Sequence, residues 1–216
     1  MYSLAPFFFT HYIMKAIIPG IPQQQEGSES NTTATYDAAD SQEATEMLKK
    51  MKQRLLDVNH WEKIAVMPSA DFTLCDHFGR KVDRLAKEGD YFRINIPGPG
   101  NNKGDGFDWV QIQKIEERYS KDEDHILITV KPASDPTVPD NETTHFFSEE
   151  ASSSFVVQRA GNKLTAAVYG RNEKPNTESE GIIDKIRNTV VAAAAITGFS
   201  KIQWKGLVEG LIKKDS

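Results

Sequence analysis

Between Asp40 and Val58 the apolar residues recur at helical spacing: Ala44, Met47, Leu48, Met51, Leu55 and Val58. Intervals of three and four place them on one helical face. Asp40 and Glu43 frame the start of this run. A carboxylate before the first turn accepts from an orphan N–H, and a glutamate three residues on reaches back. The spacing predicts an amphipathic helix over 41–57, with His60 and Trp61 following its end.

From Ile64 to Gly170 the period shortens to that of strands. Phe92, Ile94 and Ile96 alternate with Tyr91, Arg93 and Asn95, the pattern of a half-buried strand. Phe72-Thr73-Leu74 leads to a turn near His77-Phe78-Gly79, and residues 107–118 carry Trp109, Val110, Ile112 and Ile115. Residues 125–131 are apolar on both faces, which suits a central strand. Residues 153–158 and 163–169 flank Ala160-Gly161-Asn162, a hairpin turn. Six or seven strands are expected. Few helical stretches separate them, so the sheet should be mainly antiparallel.

The helical period returns after Thr177-Glu178-Ser179-Glu180, a second capping box. Ile182, Ile183, Ile186, Val190 and Ala194 form one stripe, and Gly198 interrupts it. Ser200 to Gln203 opens a further capped run carrying Trp204, Leu207, Val208 and Leu211, with Phe199 and Trp204 placed as a hydrophobic staple. Helices are expected over 178–197 and 201–213, or one long helix bent at Gly198. The small residues Ala192 to Ala195 either let this segment approach the sheet closely or leave room for a ligand.

Residues 1–39 lack either period. Pro19, Pro22, the Gln23-Gln24-Gln25 run and many Ser and Thr read as a flexible tail. Within it, residues 1–13 contain Phe7, Phe8 and Phe9, but no Lys or Arg precedes them, unlike a secretory signal. Met14-Lys15 is an alternative start. Residues 40–216 are expected to form a single α+β domain.

Composition narrows the function classes. Apolar residues make up 38% and charged residues 26% of the 216, which is ordinary for a folded domain. A net charge of −5, with Lys and Arg scattered, argues against a nucleic-acid partner. With one cysteine, Cys75, no intrachain disulfide forms. That fits a reducing compartment, and a cytoplasmic location is expected. No other run approaches the ~18 apolar residues of a membrane span.

The most distinctive segment for chemistry is Pro97 to Gly106, with four glycines in ten residues. Glycine frees the backbone for close approach to a ligand, Lys103 offers a cation and Asp105 a carboxylate. The spacing matches neither a P-loop nor a dinucleotide fingerprint. Arg171, Asn172 and Glu173 lie where the last strand meets the C-terminal helical segment. Arg171 carries a fork of donors suited to an anion, with Glu173 as an intramolecular partner. Cys75 and His77 share a strand face, but no nucleophile signature surrounds them. The five histidines form no metal-binding pattern. No catalytic residue, cofactor or metal is assigned. The candidate ligand-binding set is Lys103, Asp105, Arg171, Asn172 and Glu173.

The order of helix, antiparallel strands and long C-terminal helix over residues 41–213 resembles the helix-grip arrangement of START-like ligand-binding proteins. The resemblance is one of element order, without a shared motif. It implies a curved sheet wrapped around the last helix, with an apolar cavity between them. It also implies a strand and a second helix before the main sheet, which the pattern does not display. An alternative fold is a small SH3-like barrel with added helices, suggested by Gly89 to Ile94 followed by Trp109-Val110. Two function classes follow: binding of a small apolar or amphipathic ligand in a sheet–helix cleft, or a non-catalytic module that docks a protein partner.

Overall fold

The computed structural model describes residues 18–67, 69–95, 107–138, 143, 145, 147–174 and 201–214. The chain enters a strand, β1 (Ser28–Asp37), then helix α1 (Ser41–Leu56). A 3-10 turn (Val58–His60) leads into the short helix α2 (Trp61–Ile64). Six strands follow: β2 (Asp71–Cys75), β3 (Tyr91–Asn95), β4 (Asp108–Tyr119), β5 (Glu123–Pro132), β6 (Ser152–Ala160) and β7 (Lys163–Glu173). Residues 201–212 form the C-terminal helix α3.

All seven strands join one antiparallel sheet in the order β1-β7-β6-β5-β4-β3-β2. This is an α+β, helix-grip-like arrangement, and the SH3-like barrel is set aside. The two elements that the sequence pattern hid, a strand and a second helix before the main sheet, are β1 and α2. The stretch read as part of a flexible tail therefore contains a ten-residue strand. Its inward residues are Ser30, Thr32, Ala34 and Tyr36, so the alternation exists but only weakly in hydrophobicity. Thr32, Thr33, Thr35 and Tyr36 favour an extended backbone, and pairing with β7 supplies the rest.

Helix α1 starts as expected. Asp40 Oδ1 accepts from the Glu43 N–H at 2.8 Å, and Glu43 Oε2 reaches back to the Ala39 N–H at 2.6 Å. Its buried stripe of Ala44, Met47, Leu48, Met51 and Leu55 meets the inner face of the sheet. There the core is aromatic. Trp61 is fully buried, with ring centroids 5.3 Å from Phe72, 5.6 Å from Phe92 and 4.7 Å from Phe155. Trp204 of α3 closes this cluster at 5.2 Å from Phe155 and 6.1 Å from Phe72. Leu207, Val208 and Leu211 bury the rest of the α3 stripe. The expected helix over 178–197, the Gly198 break and Ala192–Ala195 lie outside the described residues.

β5 is the middle strand of the seven. Its even positions, Ile126, Ile128 and Val130, face the core under α1 and α3. Leu127 points to the outer face and is equally buried, because residues 18–26 cross that face as a strap. Ile18 and Ile21 of the strap pack on Leu127, Val156 and Tyr169. Gly20 makes the close approach: it has φ 94°, and a Cβ there would lie 2.7 Å from the Leu127 side chain. Being covered on both sides is the physical reason for β5's continuous apolar run.

Candidate functional site

The candidate site is at the end of β7, where the ladder with β1 is irregular. Ser30 pairs with Gly170 and Ser28 with Glu173, so Arg171 and Asn172 together oppose the single residue Glu29. This is a β-bulge, and the extra residue changes which side chains share a face. Asn172 absorbs the kink with φ 55°, a left-handed conformation that asparagine tolerates better than most residues.

Regular alternation would put Arg171 and Glu173 on the same face. The bulge separates them. Arg171 turns outward beside Tyr169, its guanidinium 5.4 Å from the ring centroid. Its Nη1 donates to the backbone carbonyls of Ser30 at 3.1 Å and Gly170 at 2.7 Å, and lies 3.9 Å from the Glu29 carboxylate. The expected Arg171–Glu173 ion pair does not form; Arg171 fastens β1 to β7 through carbonyl groups instead.

Glu173 turns to the inner face. Its Oε1 accepts from the Ser30 hydroxyl at 3.0 Å. Gly170 makes the room: a Cβ at that position would collide with the Glu173 carboxyl and the Ser30 hydroxyl. Burial pushes the Glu173 pKa up from the usual carboxylate value. The Ser30 hydrogen bond and the charges of Arg171 and Lys201 pull the other way. Around it the inner face of β1 and β7 carries Ser30, Thr32, Ala34, Ala166 and Val168, with Tyr36 and Leu164 at the far end.

Asn172 is a clamp. Its Oδ1 accepts from the backbone N–H groups of Gln25 at 2.7 Å and Glu26 at 3.2 Å. Its Nδ2 donates to the Gln23 carbonyl at 3.3 Å, and its own N–H donates to Gln24 Oε1 at 2.9 Å. Asn172 thus holds the strap, and it lines a pocket that the strap forms on the outer face of the sheet. Lys103 and Asp105 lie outside the described residues, as does the glycine-rich segment. Sequence reasoning missed Ser30 and Gly170. A serine in a polar stretch and a glycine at a strand end carry no signal until pairing sets them opposite each other.

The remaining candidates do not converge. Cys75 is buried, its Sγ 3.6 Å from the Thr73 carbonyl, and burial raises its thiol pKa away from the reactive thiolate. His77 is exposed and stacks on Phe78. Asp76 is held by Arg80. Among the described residues no group of three or more His, Cys, Asp or Glu side chains is placed to hold a metal. None of the described helices is long and apolar enough to cross a membrane.

No protein-family model and no curated protein sequence matches the chain. Solved structures do. A hypothetical protein from Helicobacter pylori is 10% identical with a TM-score of 0.45, covering 91% of this chain and 98% of that one. Norcoclaurine synthase from Thalictrum flavum, solved with dopamine and hydroxybenzaldehyde, is 9% identical with a TM-score of 0.33, covering 84% and 94%. Ginseng major latex-like protein 151 from Panax ginseng is 12% identical with a TM-score of 0.30, covering 80% and 97%. Likeness at these values assigns no activity, and the helix-grip-like arrangement rests on the strand order and helices of this chain.

Proposed function

We propose that this protein binds a small amphipathic molecule between the inner face of its sheet and its C-terminal helical segment, with Glu173 as the polar anchor. The observation that carries this reading is the placement of Glu173. A bulge turns a carboxyl onto the inner face beyond Thr32 and Val168, and Gly170 is bare beneath it. Ser30 is its one hydrogen-bond donor among the described residues. A carboxylate has about four acceptor sites, so capacity is left for a donor group on a ligand. The aromatic cluster around Trp61 and Trp204 fills the centre of the same face, so the ligand sits toward β1 and β7. Its apolar part lies against Thr32 and Ala34, which are half-buried, and an amine or hydroxyl meets Glu173. Arg171 and Asn172 act indirectly, by holding the bulge that aims Glu173.

Native mass spectrometry of the purified chain, followed by thermal shift with aliphatic amines, aliphatic alcohols and fatty acids, tests this. A ligand at a hundred times its Kd stabilises the native state by about 2.7 kcal/mol. Stabilisation by amines or alcohols that is lost in Glu173→Gln is the expected result. If no compound stabilises the wild-type chain, or if Glu173→Gln binds as tightly, the reading fails.

A further inference from the structure

We infer that the outer face of the sheet carries a second binding site, which takes a small zwitterion of the α-amino-acid class. A pocket of about 330 Å³ opens there between the strap, the turn before β6 and the end of β5. Ser152 lines it, is only 3% exposed, and its Oγ has no hydrogen-bond partner among the described residues. Buried hydroxyls are nearly always partnered, so one left open beside a pocket points to a ligand group.

The charges define what that ligand is. Lys131 and Lys174 line the pocket together with Glu26 and Glu150. Lys174 pairs with Glu26, and the Lys131 charge acts on Glu150. A lone anion or a lone cation would meet as much repulsion as attraction. A molecule carrying both signs satisfies both: its carboxylate meets the Lys131 ammonium and the Ser152 hydroxyl, and its ammonium meets Glu150 and Glu26. The apolar part of the lining, from the Pro22 ring and the stems of the long side chains, takes the aliphatic portion of such a molecule. A volume of about 330 Å³ is roughly that of ten water molecules, enough for a free amino acid.

The strap supplies one wall, and Asn172 clamps it. A ligand reaching Glu26 therefore ties the strap down further. The site does not depend on the inner-face cleft, because Lys131 and Ser152 point away from the core.

Calorimetric titration of the full chain with the common α-amino acids, with propionate and propylammonium as single-charge controls, tests the inference. At least one amino acid is expected to bind about tenfold or more tightly than either control. It should also slow hydrogen exchange at residues 23–26. Lys131→Met and Glu150→Gln, both surface changes, should each weaken it by about tenfold, and Ser152→Ala by less. Glu173→Gln should leave it unchanged, which separates this site from the inner-face reading. Absence of binding by every amino acid overturns the inference. So does equal binding of a single-charge control, or wild-type affinity in both Lys131→Met and Glu150→Gln.

Discussion

The Glu173 carboxyl occupies the space that a side chain at Gly170 would need. The two residues are three apart in one strand, and only the bulge at Arg171 and Asn172 folds one over the other. Gly170→Ala therefore has to displace the Glu173 carboxyl and the Ser30 hydroxyl. Overpacking of this kind costs about 1–3 kcal/mol. The urea midpoint of Gly170→Ala should fall accordingly, and the double variant with Glu173→Ala should recover part of the loss. An unchanged midpoint in Gly170→Ala would contradict the geometry.

Asn172 combines a left-handed backbone with the strap clamp. Asn172→Gly keeps the conformation and loses the side-chain bonds; Asn172→Ala loses both. A left-handed non-glycine residue costs roughly 1–2 kcal/mol. Asn172→Ala should therefore be less stable than Asn172→Gly. Both should speed hydrogen exchange over residues 23–26 while leaving β5 and β6 protected. Identical exchange in wild type and both variants would show that the clamp does not hold the strap.

Trp61 anchors the inner core. Its ring touches three phenylalanines, and its Nε1 donates to the carbonyls of Leu55 at 3.1 Å and Arg54 at 3.2 Å. Trp61→Ala should cost about 3–5 kcal/mol, measured by chemical denaturation. Trp61→Phe should cost less but leave both carbonyls short of a donor. A loss below 1 kcal/mol for Trp61→Ala would mean that the cluster is not the centre of the core.

Glu43 sets an acid limit. The Lys214 ammonium, the Ala39 N–H and the Tyr36 hydroxyl hold its pKa down at about 2, from the ordinary 4.5 of a glutamate. A carboxyl whose pKa is depressed on folding stabilises the native state above the unfolded pKa. That contribution is lost as pH falls through the folded pKa. Part of the acid destabilisation should therefore develop between about pH 4.5 and 2. Glu43→Gln should be less stable than wild type at pH 7 and should lose less between those limits. Parallel stability–pH curves for the two proteins would count against the linkage.

The Glu173 carboxyl titrates in the opposite sense, because burial raises its pKa on folding. Its contribution is complete below the unfolded carboxylate pKa and is lost as pH rises through the folded value. Glu173→Gln should therefore be at least as stable as wild type at neutral pH, in contrast to Glu43→Gln. A clear loss of stability in Glu173→Gln at pH 7, measured by denaturation, would show that the charged carboxylate is structurally required.

Much of the architecture was legible in the chain. The α1 start at Asp40 and Glu43, the centrality of β5, the hairpin at Gly161 and the Trp204 stripe all rest on local periodicity and local capping chemistry. These signals act over a few residues, so they survive without tertiary context. The strand β1 was not legible. Its inward positions are Ser30, Thr32, Ala34 and Tyr36, and only pairing with β7 half-buries them.

The site divides in the same way. The sequence by itself singled out Arg171, Asn172 and Glu173 as a polar cluster, and it determined the alternation that makes a strand of the residues before them. Tertiary structure decided where each of the three points. Ordinary alternation leaves Arg171 outward beside Tyr169, and a one-residue bulge turns Asn172 to the strap and folds Glu173 inward over Gly170. Strand period is two, so a single extra residue reverses the face of everything beyond it. Whether that residue is accommodated depends on β1, which pairs with β7 from more than a hundred positions away in the chain.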